Sequence, residues 1–216
     1  FDTLVALRFL EREGDGADGK YRNTADTTAF LDRNEPQYIG GFFEMAHDRI
    51  YPFWGDLIEA LRTGKPQNEI KHTGKTVFEE LYSDQDRLEQ FMNAMAGISR
   101  PNFQALAEKV DFSAYSTLCD VGGAAATLSM VVAAKNPHLK CVSADLPPAC
   151  AVADKKIAEA GMSDRIATRH LDFFKEPLPA ADVITMGMIL HDWDLEKKKH
   201  LVKAAYDALP EGGAFI

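Results

Sequence analysis

Four short stretches carry residue types suited to small-molecule chemistry. His191 stands in MILHDWD, beside Asp192 and Trp193. A neutral imidazole accepts a proton from a hydroxyl near pH 7, because its ordinary pKa lies close to that range. CDVGGAAATLS, residues 119–129, places Gly122 and Gly123 after a short apolar run and before a helical pattern. Glycines there let a backbone approach a ligand closely, and a helix N-terminus offers free N–H groups. Asp145 closes the run KCVSAD, where open α/β sheets place the acid that binds ribose hydroxyls. Asp172 and Phe173 close RHLDF, an acceptor beside an aromatic ring, suited to an adenine amino group and face. Each has a plainer structural reading. The glycines make a tight turn, Asp145 is a solvated residue before Leu146-Pro147-Pro148, Asp172 caps the next turn, Phe173 or Phe174 fills the core, and His191 caps a helix. The turn also poses a question of strain. If Ala124 or Ala126 takes positive φ, its Cβ costs about 1–2 kcal/mol; if φ stays negative, alanine costs only space.

These residues need strands to end where they stand. TLCDV, KCVSAD, RIATRHLD, ADVITMGMIL and GAFI read as five strands. TLSMVVAAKN, PACAVADKKIAEAG and DLEKKKHLVKAAYDAL read as helices between them. That alternation predicts βαβ units, a parallel sheet and helices on both faces. The first half is different. FDTLVALRFLER has helical spacing, EGDGADGKYRNT reads as a hairpin or wing, and TTAFL as a short helix. IGGFFEMAHDRIYPFWGDLIEALRTG reads as mostly helical with Gly64 as its stop, and KPQNEIKHTGKT as a linker. SDQDRLEQFMNAMAGIS reads as a helix capped by Ser83 and interrupted by Pro101. The pattern predicts a chain incomplete at both ends, lacking the first helices of a winged-helix unit and stopping inside the sheet.

A length of 216 residues with 46% hydrophobic content supports one large domain or two small ones. The net charge of −9 argues against nucleic acid as a partner. No apolar run approaches the roughly 20 residues of a membrane helix. Cys119, Cys141 and Cys150 lack metal spacing and read as reduced core thiols of a cytoplasmic protein. His138 and His200 read as solvated, and His170 as structural. G-x-G-x-x-G is not matched, which disfavours a nicotinamide dehydrogenase.

DVGG, SADLPPA, HLDFFKEPLP, MILHDWD and LPEGGAFI, in this order, resemble the two-domain small-molecule O-methyltransferases. That family includes the acetylserotonin (hydroxyindole) and caffeic acid enzymes and bacterial relatives acting on aromatic secondary metabolites. The resemblance implies an α/β fold: a Rossmann-like class I methyltransferase sheet over 111–216. A mainly helical, winged-helix-like dimerisation and substrate-lid region would precede it over 1–110. It implies S-adenosylmethionine as cofactor, with Gly122 near its methionine part, Asp145 at its ribose, and Asp172 and Phe173 at its adenine. Tyr82 and Ser99 match positions lining cofactor or lid. Met95 matches a position facing the acceptor ring, although a Met/aromatic stripe of Met95 and Phe91 also suits a core. His191 matches the general base and Asp192 an acceptor-side polar residue. The implied partners are a small hydroxylated aromatic substrate and a second copy in a homodimer, with neither metal nor membrane. The chain departs from the family at Ala124 and Ala126, where further glycines are usual, and at Gly187 and Met188, where a Lys or Arg is common. Two other readings remain: a relative using the cofactor for hydroxylation or decarboxylation, and a non-enzymatic winged-helix ligand sensor.

Overall fold

Buried apolar runs build the sheet. In the computed structural model, which describes residues 1–216, a first unit comprises 1–77 with 93–98, and a second 78–92 with 99–216. Residues 78–92 and 99–110, expected with the helical region, belong to the second unit.

In the first unit, α1 (Asp2–Ala6) leads to an antiparallel hairpin of β1 (Leu10–Glu13) and β2 (Lys20–Asn23), then α2 (Ala25–Leu31). The helix expected over FDTLVALRFLER stops early. Arg8 takes φ 64°, and beyond it burial alternates between half-buried and exposed, the period of a strand. Next come α3 (Gly40–Met45), a π turn over Ala46–Ile50, α4 (Tyr51–Phe53) and α5 (Leu57–Thr63), with Gly64 left-handed at the C-cap as expected. The expected linker is partly a helix, α6 (Glu69–Thr73): the Asn68 side chain caps it by accepting from the Ile70 N–H. Glu69 is buried, and Arg49 grips it through two hydrogen bonds, Nε at 2.5 Å and Nη2 at 3.2 Å.

α7 (Val77–Tyr82) precedes α8 (Gln85–Lys109), a helix of 25 residues shared by both units. Two expectations fail here. Asp84, not Ser83, is the N-cap and accepts from the Asp86 and Arg87 N–H groups. Pro101 also lies inside an unbroken helix. Leu88, Met92, Ala94 and Ala107 are buried along α8, and that packing outweighs one missing helical hydrogen bond.

The second unit then alternates strand and helix, as expected. β3 (Thr117–Val121), α9 (Thr127–Lys135), β4 (Lys140–Asp145), α10 (Pro147–Glu159), β5 (Ile166–His170), β6 (Val183–Thr185), α11 (Leu195–Ala208) and β7 (Ala214–Phe215) follow in order. The sheet is parallel, ordered β5-β4-β3-β6-β7. Leu118, Cys141, Ile166 and Val183 pack with residues of α9 and α10; Cys119, Ala144 and Ile184 pack with Leu201 and Ala205 of α11. Both faces are covered, so the strands are nearly all apolar. The order reverses direction at β3, and the carboxyl ends of β3 and β6 border the crevice where such sheets hold ligands, with those of β4 and β5 alongside. No helix is long and apolar enough to cross a membrane.

The strain question is answered at the turn after β3. Ala124 takes φ 47° and Ala126 φ 57°. Ala126 is wholly buried, whereas Ala124 is half-buried. Ala124→Gly therefore relieves left-handed strain with little lost packing and should stabilise the chain by about 0.5–1 kcal/mol. Ala126→Gly should gain nothing, because deleting a buried methyl costs about as much as the strain relieved. Urea unfolding of both variants checks the contrast.

Candidate active site

Three adjacent strand ends meet the crevice. The turn after β3 begins at Gly122, φ 70°, whose N–H donates to the Ala144 carbonyl at 2.8 Å. A Cβ at Gly122 would collide with the Ile189 side chain and lie 3.8 Å from Phe173 Cε1. A Cβ at Gly123 would collide with Ser143 Oγ and lie 3.0 Å from Asp120 Oδ2. Gly122 needs glycine for its φ, and Gly123 for space.

Asp145 ends β4 and is buried, which pushes its carboxyl upward. Donors from the Leu146 and Ala124 backbone and from Tyr82 oppose that shift. The Leu146 N–H and Tyr82 Oη donate to Oδ1 at 2.7 and 3.0 Å, and the Ala124 N–H donates to Oδ2 at 2.9 Å. Tyr82, at the end of α7, is mostly buried, and its phenol is pushed up by that burial and by Asp145. The plain reading of Asp145 as a solvated turn residue is excluded by these contacts.

Asp172 follows β5 and caps its own turn: Oδ1 accepts from the Phe174 N–H at 3.1 Å, and Lys175 Nζ lies 2.8 Å from Oδ2. Lys175 holds this carboxyl below the usual range. Phe173 meets Phe174 edge-on, with ring centroids 4.9 Å apart, and lies beside the Gly122 turn. Gly122, Asp145, Tyr82 and Phe173 thus border one turn. Ser99 is buried on α8 in the second unit, and Met95 is half-buried on the same helix in the stretch belonging to the first.

His191 follows the fourth strand, but the strand ends earlier than its apolar run suggests. β6 ends at Thr185, and His191 sits in a 3-10 turn, Leu190–Asp192, after Met188 at φ 62°. Its Nε2 lies 3.1 Å from Asp192 Oδ1, with the His191 side chain 57% exposed and that of Asp192 31% exposed. Partial burial raises the Asp192 carboxyl, and His191 pulls it back down. Trp193 packs edge-on against Phe174 at 4.7 Å and near Phe173 and Phe78 at 6.2 and 6.1 Å. Asp194 caps α11 through the Lys197 N–H. His138, read as solvated, is exposed and also bonds the Phe112 carbonyl through Nε2 at 3.1 Å.

A polar stripe beneath the turn escaped the sequence reading. Register pairs Asp120 with Ser143 on one side and Thr185 on the other. Thr185 Oγ1 donates to Asp120 Oδ1 at 2.8 Å. Ser143 and, on α9, Ser129 bury their hydroxyls in the same stripe; Ser143 Oγ has no hydrogen-bond partner, and Ser129 bears on the Asp120 carboxyl, pulling it down. Desolvation, reinforced by the charge of Asp145, pushes the Asp120 carboxyl up to about 7. The signal was present: each buried strand carries one polar residue at the same register.

An acid whose folded pKa exceeds its unfolded value holds its proton more tightly when folded. Its contribution to stability is complete below the unfolded value of 3.8 and is lost as pH rises through about 7. Asp120→Asn, which keeps an acceptor for Thr185, removes that loss. The variant's stability relative to wild type should rise between pH 4 and pH 8, by on the order of 4 kcal/mol at most. Denaturant unfolding of both proteins across that range measures it.

An acid at the end of β4, a tight glycine turn after β3 and an aromatic ring after β5 define a doubly wound sheet with a nucleoside-type crevice. The sequence profile of the O-methyltransferase domain family matches residues 54–216, and the chain belongs to that family. It is 37% identical over 215 residues to 3-hydroxy-5-methyl-1-naphthoate 3-O-methyltransferase of Streptomyces sahachiroi, covering 99% of this chain and 60% of that protein. It is 34% identical over 215 residues to the N,N-dimethyltransferase OxyT of Streptomyces rimosus, covering 100% and 61%. The fold superposes on human N-acetylserotonin methyltransferase, solved in complex with SAM, with a TM-score of 0.90 and 28% identity over 99% of this chain and 62% of that one. The chain thus spans about three fifths of the length of these proteins.

Proposed function

We propose that the protein is an S-adenosylmethionine-dependent O-methyltransferase acting on a hydroxyl of a small aromatic acceptor. The observation that carries this reading is the grouping of Gly122, Asp145 and Phe173 around one turn, on a chain of the O-methyltransferase family. The residues fit the cofactor. Asp145 supplies an acceptor for ribose hydroxyls, Gly122 a close backbone approach, and Phe173 a ring face with Asp172 beside it. Bound there, the cofactor supplies a methyl group on a sulfonium, already a strong electrophile.

What the chain must add is placement and proton removal. His191 is the general base, taking the acceptor hydroxyl proton, with Asp192 at Nε2 compensating the charge that develops on the ring. Ser99 and Met95 are assigned to cofactor and acceptor contacts on the resemblance alone. The region 1–110 is assigned the dimerisation and lid role, and 111–216 the cofactor-binding role. Trp54, Leu57, Ile58 and Leu61 expose one apolar helical face there, which supports a homodimer. The three buried free thiols suit the reducing cytoplasm. Relatives such as the N,N-dimethyltransferase OxyT make the acceptor atom the natural alternative, nitrogen in place of oxygen.

Calorimetric titration of the chain with S-adenosylhomocysteine, with NADH as control, tests the cofactor. Micromolar binding of the first alone is expected; binding of neither overturns the reading. Asp145→Ala should weaken that binding about tenfold, the worth of a hydrogen bond to a charged group. His191→Ala should lower kcat about 100-fold or more while leaving S-adenosylhomocysteine affinity nearly intact. Equal loss of both would make His191 structural.

A further inference from the structure

A carboxylate has about four lone-pair positions, and in Asp145 three are occupied. Oδ1 accepts from Tyr82 Oη and the Leu146 N–H, and Oδ2 from the Ala124 N–H. The two amides are fixed. One belongs to the strained turn after β3, and the other to the residue that starts α10. Tyr82 is the one side-chain donor of the three. A ribose presents two vicinal hydroxyls, and gripping both needs two acceptor positions where one is open.

We propose that Tyr82 sets the chain's affinity for ribose by competing with the 2′- and 3′-hydroxyls for Oδ1 of Asp145. This rests on the nucleoside reading of the crevice given above. It assigns Tyr82 a role other than lining the cofactor. The competition follows from burial. Asp145 is 6% exposed, so without a ligand its oxygens need a protein donor, and the phenol is that donor. Tyr82 is kept in reach by packing with Leu88, Met92, Ala149 and Val152. When a diol arrives, one hydrogen bond to Oδ1 forms as another breaks. The exchange returns little affinity, so the diol contributes less to binding than a free carboxylate would allow.

Two nucleosides separate the terms: adenosine, and 2′,3′-dideoxyadenosine, which lacks only the diol. Calorimetry on the wild-type chain should show the two binding within about tenfold of each other, one hydrogen bond's worth or less. Tyr82→Phe should bind adenosine about tenfold more tightly than wild type and the dideoxy compound equally well. Equal or weaker adenosine binding by the variant overturns the proposal and makes the phenol a support for the acid. A wild-type preference for adenosine of about 100-fold or more also overturns it, and decides the matter even if the variant fails to fold. Failure of wild type to bind S-adenosylhomocysteine and both nucleosides overturns the nucleoside reading itself, and the competition with it.

Discussion

Three donors from three parts of the chain converge on the Asp145 carboxylate: the Ala124 amide after β3, the Leu146 amide before α10, and the Tyr82 phenol ending α7. A buried carboxylate without partners is costly, and a buried one with three donors fixes all three. The turn, the start of α10 and the position of α7 are therefore consequences of one group. The same contact explains why Ala124 stays left-handed: its N–H is held by the acid, and releasing the strain would leave the carboxylate short of a donor.

The polar stripe below the turn is a second constraint of the same kind. Asp120, Ser143 and Thr185 interrupt strands that are otherwise apolar on both faces. A fold selected for stability alone would fill these positions with Val or Ile, because an orphaned Ser143 hydroxyl and a carboxyl near pKa 7 both weigh against folding. Stability yields to polarity within one residue of the glycine turn, where backbone must stand open to a ligand.

The alternation of strands and helices from residue 117 onward was legible in the sequence, because parallel strands buried on both faces show as short apolar runs closed by turn residues. The strand-end acids and glycines were legible for the same reason: topology alone brings them to one edge. What was not legible depended on tertiary contacts. The early stop of α1 turns on the conformation of Arg8. Helix α8 passes Pro101 because its buried face holds it, which local propensity does not report. Expected strand over Met186–Leu190 gives way to a turn, since Met188 is left-handed and only Val183–Thr185 pair in the sheet. Asp172 showed both its readings in the sequence, and its capping of the next turn is the one fixed by hydrogen bonds.

The HDW segment joins a local interaction to a distant one. His191 and Asp192 are adjacent in sequence, so their contact needs only the 3-10 turn that holds them. Trp193 needs the rest of the fold. Its indole packs among Phe78 of α7 and Phe173 and Phe174 after β5, with Lys197 over its ring at 5.5 Å. α7 also carries Tyr82, and Phe173 also flanks Gly122. The aromatic cluster thus ties the exposed His–Asp pair to the same elements that hold the Asp145 carboxylate. A shift of α7 that moved Tyr82 would also move Phe78 and be felt at Trp193, the residue next to Asp192.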